Sequence, residues 1–188
     1  GGGRGMTDTQ KKPLWKSELV WLFLLTSGLF AILYSKFILG GYAYVFTDTG
    51  ADTMQINYAQ YGLFSSLFRS GESGYVLQAG LGMDVSSYYP AYLIPYNLLI
   101  LLAPQRLLPW AVLASAYLKM ITISLVGYLF YRKLMQDGIG TMAAALAWTF
   151  SGYVILWGQH YGFCTCMALF TVFMYFLQCY LNGEQRWK

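Results

Sequence analysis

The chain has 188 residues, 57% of them hydrophobic, 19% aromatic and only 11% charged, with a net charge of +4 and a mean hydropathy of +0.45. This composition excludes an ordinary soluble domain and reads as an all-α, polytopic helical membrane protein. The basic residues lie in short clusters beside apolar runs, so no dense basic surface for a nucleic acid is expected.

Residues 1–16 read as a leader and cytoplasmic N-terminus, with the glycine-rich stretch before Met6 set aside from fold reasoning. Residues 17–188 read as one transmembrane module. Lys11, Lys12 and Lys16 precede an apolar run over about 19–39, long enough to cross a hydrocarbon core. No small-residue cleavage site follows it, so it reads as a signal anchor running outward from the cytoplasm. Lys36 near its outer end can snorkel to the headgroups, and Gly40-Gly41 closes the helix.

Residues 42–87 form a long outer loop, a length usually reserved for function. Within it, 52–70 contains no proline and reads as a helix. At 100° per residue, Asp52, Gln55, Ala59, Gly62, Ser66 and Arg69 fall on one polar or small stripe. Ile56, Leu63, Phe64, Leu67 and Phe68 fall opposite, the pattern of an interfacial amphipathic helix lying apolar side down. Residues 88–103 are apolar but hold Pro90 and Pro95 and end at Pro104, which suits a partial or re-entrant segment.

Three further spans follow at about 107–131, 140–157 and 163–181. The basic groups Lys11, Lys12 and Lys16, then Arg132 and Lys133, then Arg186 and Lys188 all belong on the cytoplasmic side. About four spans plus one partial segment satisfy this, with both termini inside; five would strand one cluster outside. Cys164, Cys166 and Cys179 lie in or beside an apolar run. They read as small packing residues rather than a disulfide framework or a metal site.

The residues that stand out chemically are polar groups in this apolar setting. Asp52 and Gln55 have the spacing of a capping box, in which the carboxylate caps helix amides and the glutamine reaches back. A capping carboxylate keeps a free oxygen, so the same residue can face a membrane-level cleft as a general base, with Asp48 as a second carboxylate. Helix amides favour the charged form, which suits a base better than a proton donor. Lys119 lies in an otherwise apolar helix, about 18–20 Å by rise from its Arg132 end. It reads either as snorkelling or ion-paired with an outer-loop carboxylate, or as a cation for a lipid phosphate. Arg69 and Arg106 are outer-side alternatives for that phosphate role. His160 is the only histidine and sits at the outer end of a helical hairpin, where it is either solvated or turned toward the same cleft.

Four stretches resemble the amino-terminal part of the YfhO-like family of bacterial membrane proteins, of the GT-C glycosyltransferase class. Asp52-Thr53-Met54-Gln55 with Tyr58 resembles the acidic D-x-x-Q stretch after the first span, and Gly80-Leu81-Gly82 resembles a Gly-Leu-Gly before the aromatic run. Ile94-Pro95-Tyr96-Asn97-Leu98-Leu99, ending at Pro104, resembles a proline run in which the family has Ser in place of Ile94. Ser151-Gly152-Tyr153, followed by His160, resembles its Ser-Gly-Tyr and outer loop. The resemblance covers about 19–183, and family members are several times longer, so it implies an N-terminal module.

The resemblance implies transfer of a sugar from a polyprenyl-phosphate-linked donor to a cell-envelope glycan acceptor, such as a teichoic-acid polymer. The reaction takes place on the outer face of the bacterial cytoplasmic membrane. Asp52 matches the carboxylate that activates the acceptor hydroxyl, and Asp48 is second. Gln55, Tyr58, Arg69, Lys119 and His160 are the candidate substrate-binding residues. The class includes members with and without a divalent cation, and no metal ligands are assigned. The competing expectation is a non-catalytic module in the lipid bilayer: a flippase component, transporter or lipid-binding scaffold. It rests on Lys119 and the proline-broken segment; no inverted repeat between the halves supports it.

Overall fold

The computed structural model describes residues 17–46, 53–72, 74–77, 82–86, 94–135 and 137–184. Helix α1 spans Glu18–Leu33 and buries Leu22, Thr26 and Phe30, a spacing of four that keeps them on one face. It breaks at Tyr34, whose φ of -101° and ψ of 15° are not helical, and resumes as α2 over Ser35–Leu39. The expected first span is thus two pieces. At 16 residues, α1 rises about 24 Å, short of a full hydrocarbon core.

The outer segment begins with a π-helical turn over Thr53–Tyr58 that runs into α3, Ala59–Ser70. Gly71 ends α3 in the left-handed conformation (φ 72°), which costs glycine nothing, and the Gly71 and Glu72 amides both close on the Leu67 carbonyl. Two short strands follow, β1 (Tyr75–Val76) and β2 (Met83–Asp84), paired antiparallel with Tyr75 opposite Asp84. A 3-10 turn over Pro95–Asn97 leads into α4, Leu98–Leu102, a helix of only five residues. The proline-broken segment therefore makes no span among its described residues; 88–93 lie outside them.

The long helices come last. A 3-10 turn over Gln105–Leu107 opens α5, Leu108–Leu134, with Pro109 in its first turn, where a missing N–H costs nothing. Helix α6 (Gly138–Thr149) continues after a break at Ser151 as α7 (Gly152–Leu156) and a 3-10 turn over Trp157–Gln159. Helix α8 is Tyr161–Leu181. Three helical stretches, Gln105–Leu134, Gly138–Gln159 and Tyr161–Leu181, are long and apolar enough to cross a membrane.

Helix α5 is the pillar on which the others pack. Its most apolar stretch is 56% buried, against 22% and 28% for the other two long stretches, so those two leave most of their surface outside the protein's own packing. Helix α1 runs antiparallel to α5: Thr26 Oγ1 meets Ser124 Oγ at 2.7 Å, Ser27 Oγ meets the Tyr117 hydroxyl at 2.8 Å, and Tyr128 donates to Glu18. Trp148 Nε1 donates to Thr171 Oγ1 at 3.0 Å between α6 and α8. Such bonds between helices contribute about 0.6 kcal/mol each in a membrane. At one end Lys133 pairs with Glu184, and Glu18 lies beside Gly138 at the start of α6. The other end carries α2, α3, α4 and the Trp157–Gln159 turn.

Asp137 caps α6, accepting from the Ile139 and Gly140 amides at 3.3 and 2.6 Å. Asp137→Ala is expected to lower stability by about 0.5–2 kcal/mol, and Asp137→Asn to leave it nearly unchanged, because Asn caps as well as Asp. Thermal unfolding of the purified protein in detergent reads the difference.

The outer helix buries part of its expected apolar face against the protein and leaves the rest outside it. Phe64 and Leu67 are buried, but Ile56 and Phe68 are 48% and 37% exposed, and the buried set includes Thr53, Tyr61 and Ser65. The π turn winds more widely than 3.6 residues per turn, so positions before Ala59 fall out of phase with those after it. Helix α3 packs on α4, where Ser65 Oγ donates to the Ala103 carbonyl at 2.7 Å. Phe64, Leu67, Val76, Val85 and Leu101 close a small core of their own, which makes this outer segment a cap with its own packing.

Candidate functional site

Lys119 anchors the site from below. It is 2% exposed, on the face of α5 that also buries Ser115, one helical turn earlier. Its Nζ donates to the Tyr161 carbonyl at 3.1 Å, and Thr165 Oγ1 reaches the same carbonyl at 3.3 Å. Ser115 Oγ is buried with no hydrogen-bond partner among the described residues. Tyr61, Ser115, Lys119, Gly158, Tyr161 and Cys164, with the apolar Ile100, Val112 and Ala116, line a void of about 10 Å³.

Above this floor the outer segment is stitched to the turn before α8. The 3-10 turn at Trp157–Gln159 leaves carbonyls outside the regular helix ladder, where side chains can use them. Tyr44 Oη donates to the Gly158 carbonyl at 3.3 Å, and Thr53 Oγ1 donates to the Gln159 carbonyl at 3.1 Å. The Tyr161 hydroxyl donates back to the Tyr44 carbonyl. Tyr61 stacks on Tyr161, with centroids 5.4 Å apart and planes 12° apart, and its hydroxyl reaches Asn97 Oδ1 at 3.4 Å. Burial pushes the phenols of Tyr44 and Tyr58 above their ordinary range, so both stay neutral and Tyr44 remains a donor.

Gly158 is where the backbone comes closest. A Cβ there would lie 2.9 Å from Tyr44 Oη, whose ring is 2% exposed and has little room to move. Gly158→Ala is expected to cost about 1–3 kcal/mol, and adding Tyr44→Phe to restore part of it, since the clashing oxygen is then gone. Unfolding midpoints of the single and double variants check this.

The sequence-derived candidates separate on this frame. Asp48 and Asp52 lie outside the described residues. Gln55 is exposed on the π turn, and Tyr58 is half-buried against the main core. Arg69 is exposed, donating Nε to the Ser65 carbonyl at 3.2 Å, and lies about 20–24 Å along the helix from Thr53. It therefore does not share a cluster with Lys119. Arg106 is also exposed, beside Gln105, whose Nε2 donates to the Gly62 carbonyl at 2.9 Å. His160 is half-buried against Trp157 and Phe163, with centroids 5.7 and 5.5 Å away.

Lys119 and His160 thus meet the same turn, but Lys119 is enclosed and bonded to a carbonyl. In this arrangement it braces the turn and does not reach a ligand outside. Sequence reasoning missed Thr53, Tyr44, Tyr61, Ser115 and Tyr161. A usable signal existed only for Ser115, four residues before Lys119 and so on the same helix face. Among the described residues, no group of three or more His, Cys, Asp and Glu side chains gathers as a metal site.

No family model, curated protein or solved structure matches the chain. The fold and composition define a helical, membrane-associated protein, with three helices long and apolar enough to span a bilayer.

Proposed function

We propose that this chain is the N-terminal module of a membrane glycosyltransferase. It transfers a sugar from a polyprenyl-phosphate-linked donor to a cell-envelope glycan acceptor, outside the bacterial cytoplasmic membrane. In this reading the chain crosses the bilayer about four times, with α1 as the shortest crossing and α4 as the partial segment. The acceptor hydroxyl attacks the anomeric carbon, its proton passes to Asp52, the carbon–oxygen bond to phosphate breaks, and polyprenyl phosphate leaves as the anion.

The observation that carries this reading is the anchoring of Thr53. The residue directly after Asp52 is fully buried and bonded to the Gln159 carbonyl, so the helix following the acidic stretch starts from a fixed point on the bundle. A base must be held to well under an ångström to be effective, and a tethered helix start supplies that. An apolar groove of about 380 Å³, lined by Leu99, Leu102, Leu107 and Trp110, adds support. It suits an isoprenoid chain, and the exposed Arg106 beside it suits the phosphate.

The same apolar groove also supports a second reading, a lipid-binding scaffold without turnover. The test incubates membranes carrying the chain within its natural polypeptide with a radiolabelled polyprenyl-phosphate-linked sugar. Label appearing in envelope polymer supports the transferase. Lipid that co-purifies with the protein while no label moves supports the scaffold.

A further inference from the structure

Trp110 stands between two openings at the outer end of α5. At 100° per residue, Ala111 and Ala114 lie on one face of its first turns, Pro109 and Leu113 on the next, and Trp110 on the ridge between them. On the first side is the apolar groove of about 380 Å³. On the second is a pocket of about 250 Å³, walled by Phe37, Tyr42, Tyr44, Pro109, Leu113 and Trp110 itself, with Gly41 and Ala43 completing its lining. The surface of the pocket is partly polar, whereas that of the groove is almost wholly apolar.

The chain after α2 is folded to present Tyr42 here. Gly41 turns it in the left-handed conformation (φ 69°), and a Cβ on Gly40 would lie 3.0 Å from the Tyr42 ring. Tyr44 is the fixed wall: its ring is buried, meets Phe37 edge-on with centroids 5.1 Å apart, and its hydroxyl is bonded to the Gly158 carbonyl. Trp110 and Tyr42 are 49% and 68% exposed, so their rings are open to a ligand. Each carries a donor, the indole N–H and the phenol hydroxyl.

Chemistry and size select the occupant. Aromatic rings with polar tips suit a molecule that is apolar on one face and polar round its edge. A pyranose ring is built that way, with C–H groups on its face and hydroxyls at its rim. A volume of about 250 Å³ is below the roughly 300–1,000 Å³ of pockets for drug-sized ligands, so it suits one ring and not an oligosaccharide. A cation would meet aromatic faces but no lining carboxylate, in a chain of net charge +4. We propose that this pocket binds a single neutral sugar ring, stacked on Trp110 and Tyr42.

Sugar binding does not require turnover, but its place in the reaction rests on the transferase reading. Tyr44 is bonded to the Gly158 carbonyl and Thr53 to the carbonyl of the next residue, Gln159. The pocket and the helix that follows Asp52 are thus fixed to adjacent peptide groups. A lipid-linked sugar with its tail in the groove passes over Trp110 to set its ring in the pocket.

Saturation-transfer NMR on the purified full chain in phospholipid nanodiscs tests the pocket without a sugar-bearing detergent. The probes are the methyl glycosides of glucose, galactose, mannose and N-acetylglucosamine. Saturation is expected to reach the ring protons of at least one. Trp110→Ala and Tyr42→Ala are each expected to weaken that binding by about 2–10-fold, and Tyr42 lies outside any helix, so its variant covers a Trp110→Ala that does not fold. Trp21→Ala, an equally exposed indole on α1, is expected to change nothing. No saturation of any glycoside, or an equal loss in Trp21→Ala, overturns the proposal. Choline that takes up saturation in place of the glycosides overturns the sugar in favour of a cation. The two readings fail separately: glycoside binding without movement of label into envelope polymer removes the transferase and keeps the pocket. Label that moves at an undiminished rate in Trp110→Ala and Tyr42→Ala removes the pocket and keeps the transferase.

Discussion

Asp52→Asn is expected to lower sugar transfer by about 10²–10⁴-fold, the usual contribution of a positioned general base. The substitution is chosen because it divides the two roles the sequence allows this residue. Asparagine caps a helix as well as aspartate does, so an Asp52 that serves only as a cap tolerates the change. A base does not, because the amide cannot take the acceptor's proton. Amounts of protein inserted in the membrane should be unaffected. Full transfer by Asp52→Asn would rule out the base. Asp48→Asn, at the auxiliary position, is expected to lose less. Thr53→Val tests the tether itself: it deletes the donor to the Gln159 carbonyl while keeping side-chain volume, and transfer should fall even though no charge has changed.

Phe64→Ala is expected to cost about 3–5 kcal/mol, the largest stability loss among the changes considered. Phe64 is fully buried, and it joins α3 to Leu101 of α4 and to Val76 and Val85 of the hairpin. The cavity left behind would lie in a core of only a few side chains, which has little neighbouring material with which to fill it. The loss should be local, because this core is separate from the one along α5. Limited proteolysis should therefore cut the segment around α3 and the hairpin well before the long helices. Phe68→Ala on the same helix is the control. That ring is 37% exposed, and the change should have little effect on cutting. Equal sensitivity of the two variants would mean that the cap has no core of its own.

Much of the bundle was legible in the sequence. The expected run over 107–131 is found as α5, and the run over 163–181 as α8, because long apolar stretches without proline have few alternatives to a helix. The breaks at Tyr34 and Ser151 were not legible, since no proline or glycine pair marks either position. The expected helix over 52–70 is found from Thr53 on, as the π turn and α3; of its apolar residues Phe64 and Leu67 are buried in the protein, whereas Ile56 and Phe68 stay exposed. The paired strands at Tyr75–Val76 and Met83–Asp84 are too short to leave a period-two pattern.

The site divides in the same way. Lys119 stands out in any reading of the sequence, because an ionisable group in a long apolar helix is costly wherever the helix sits. Its partner does not stand out: a backbone carbonyl leaves no trace in residue identity, and the Tyr161 carbonyl comes within reach only when α5 and α8 lie side by side. The sequence alone determined that this is a helical chain apolar enough to associate with a membrane, roughly where its long helices run, and which polar side chains in them demand an explanation. These follow from hydrophobicity and local period, properties of neighbours along the chain. Only the tertiary structure decided that Lys119 is enclosed, that Thr53 is pinned to the turn at Gln159, and that Ser115 faces the same void. Those facts depend on contacts between residues far apart in sequence, which packing creates and no local pattern records.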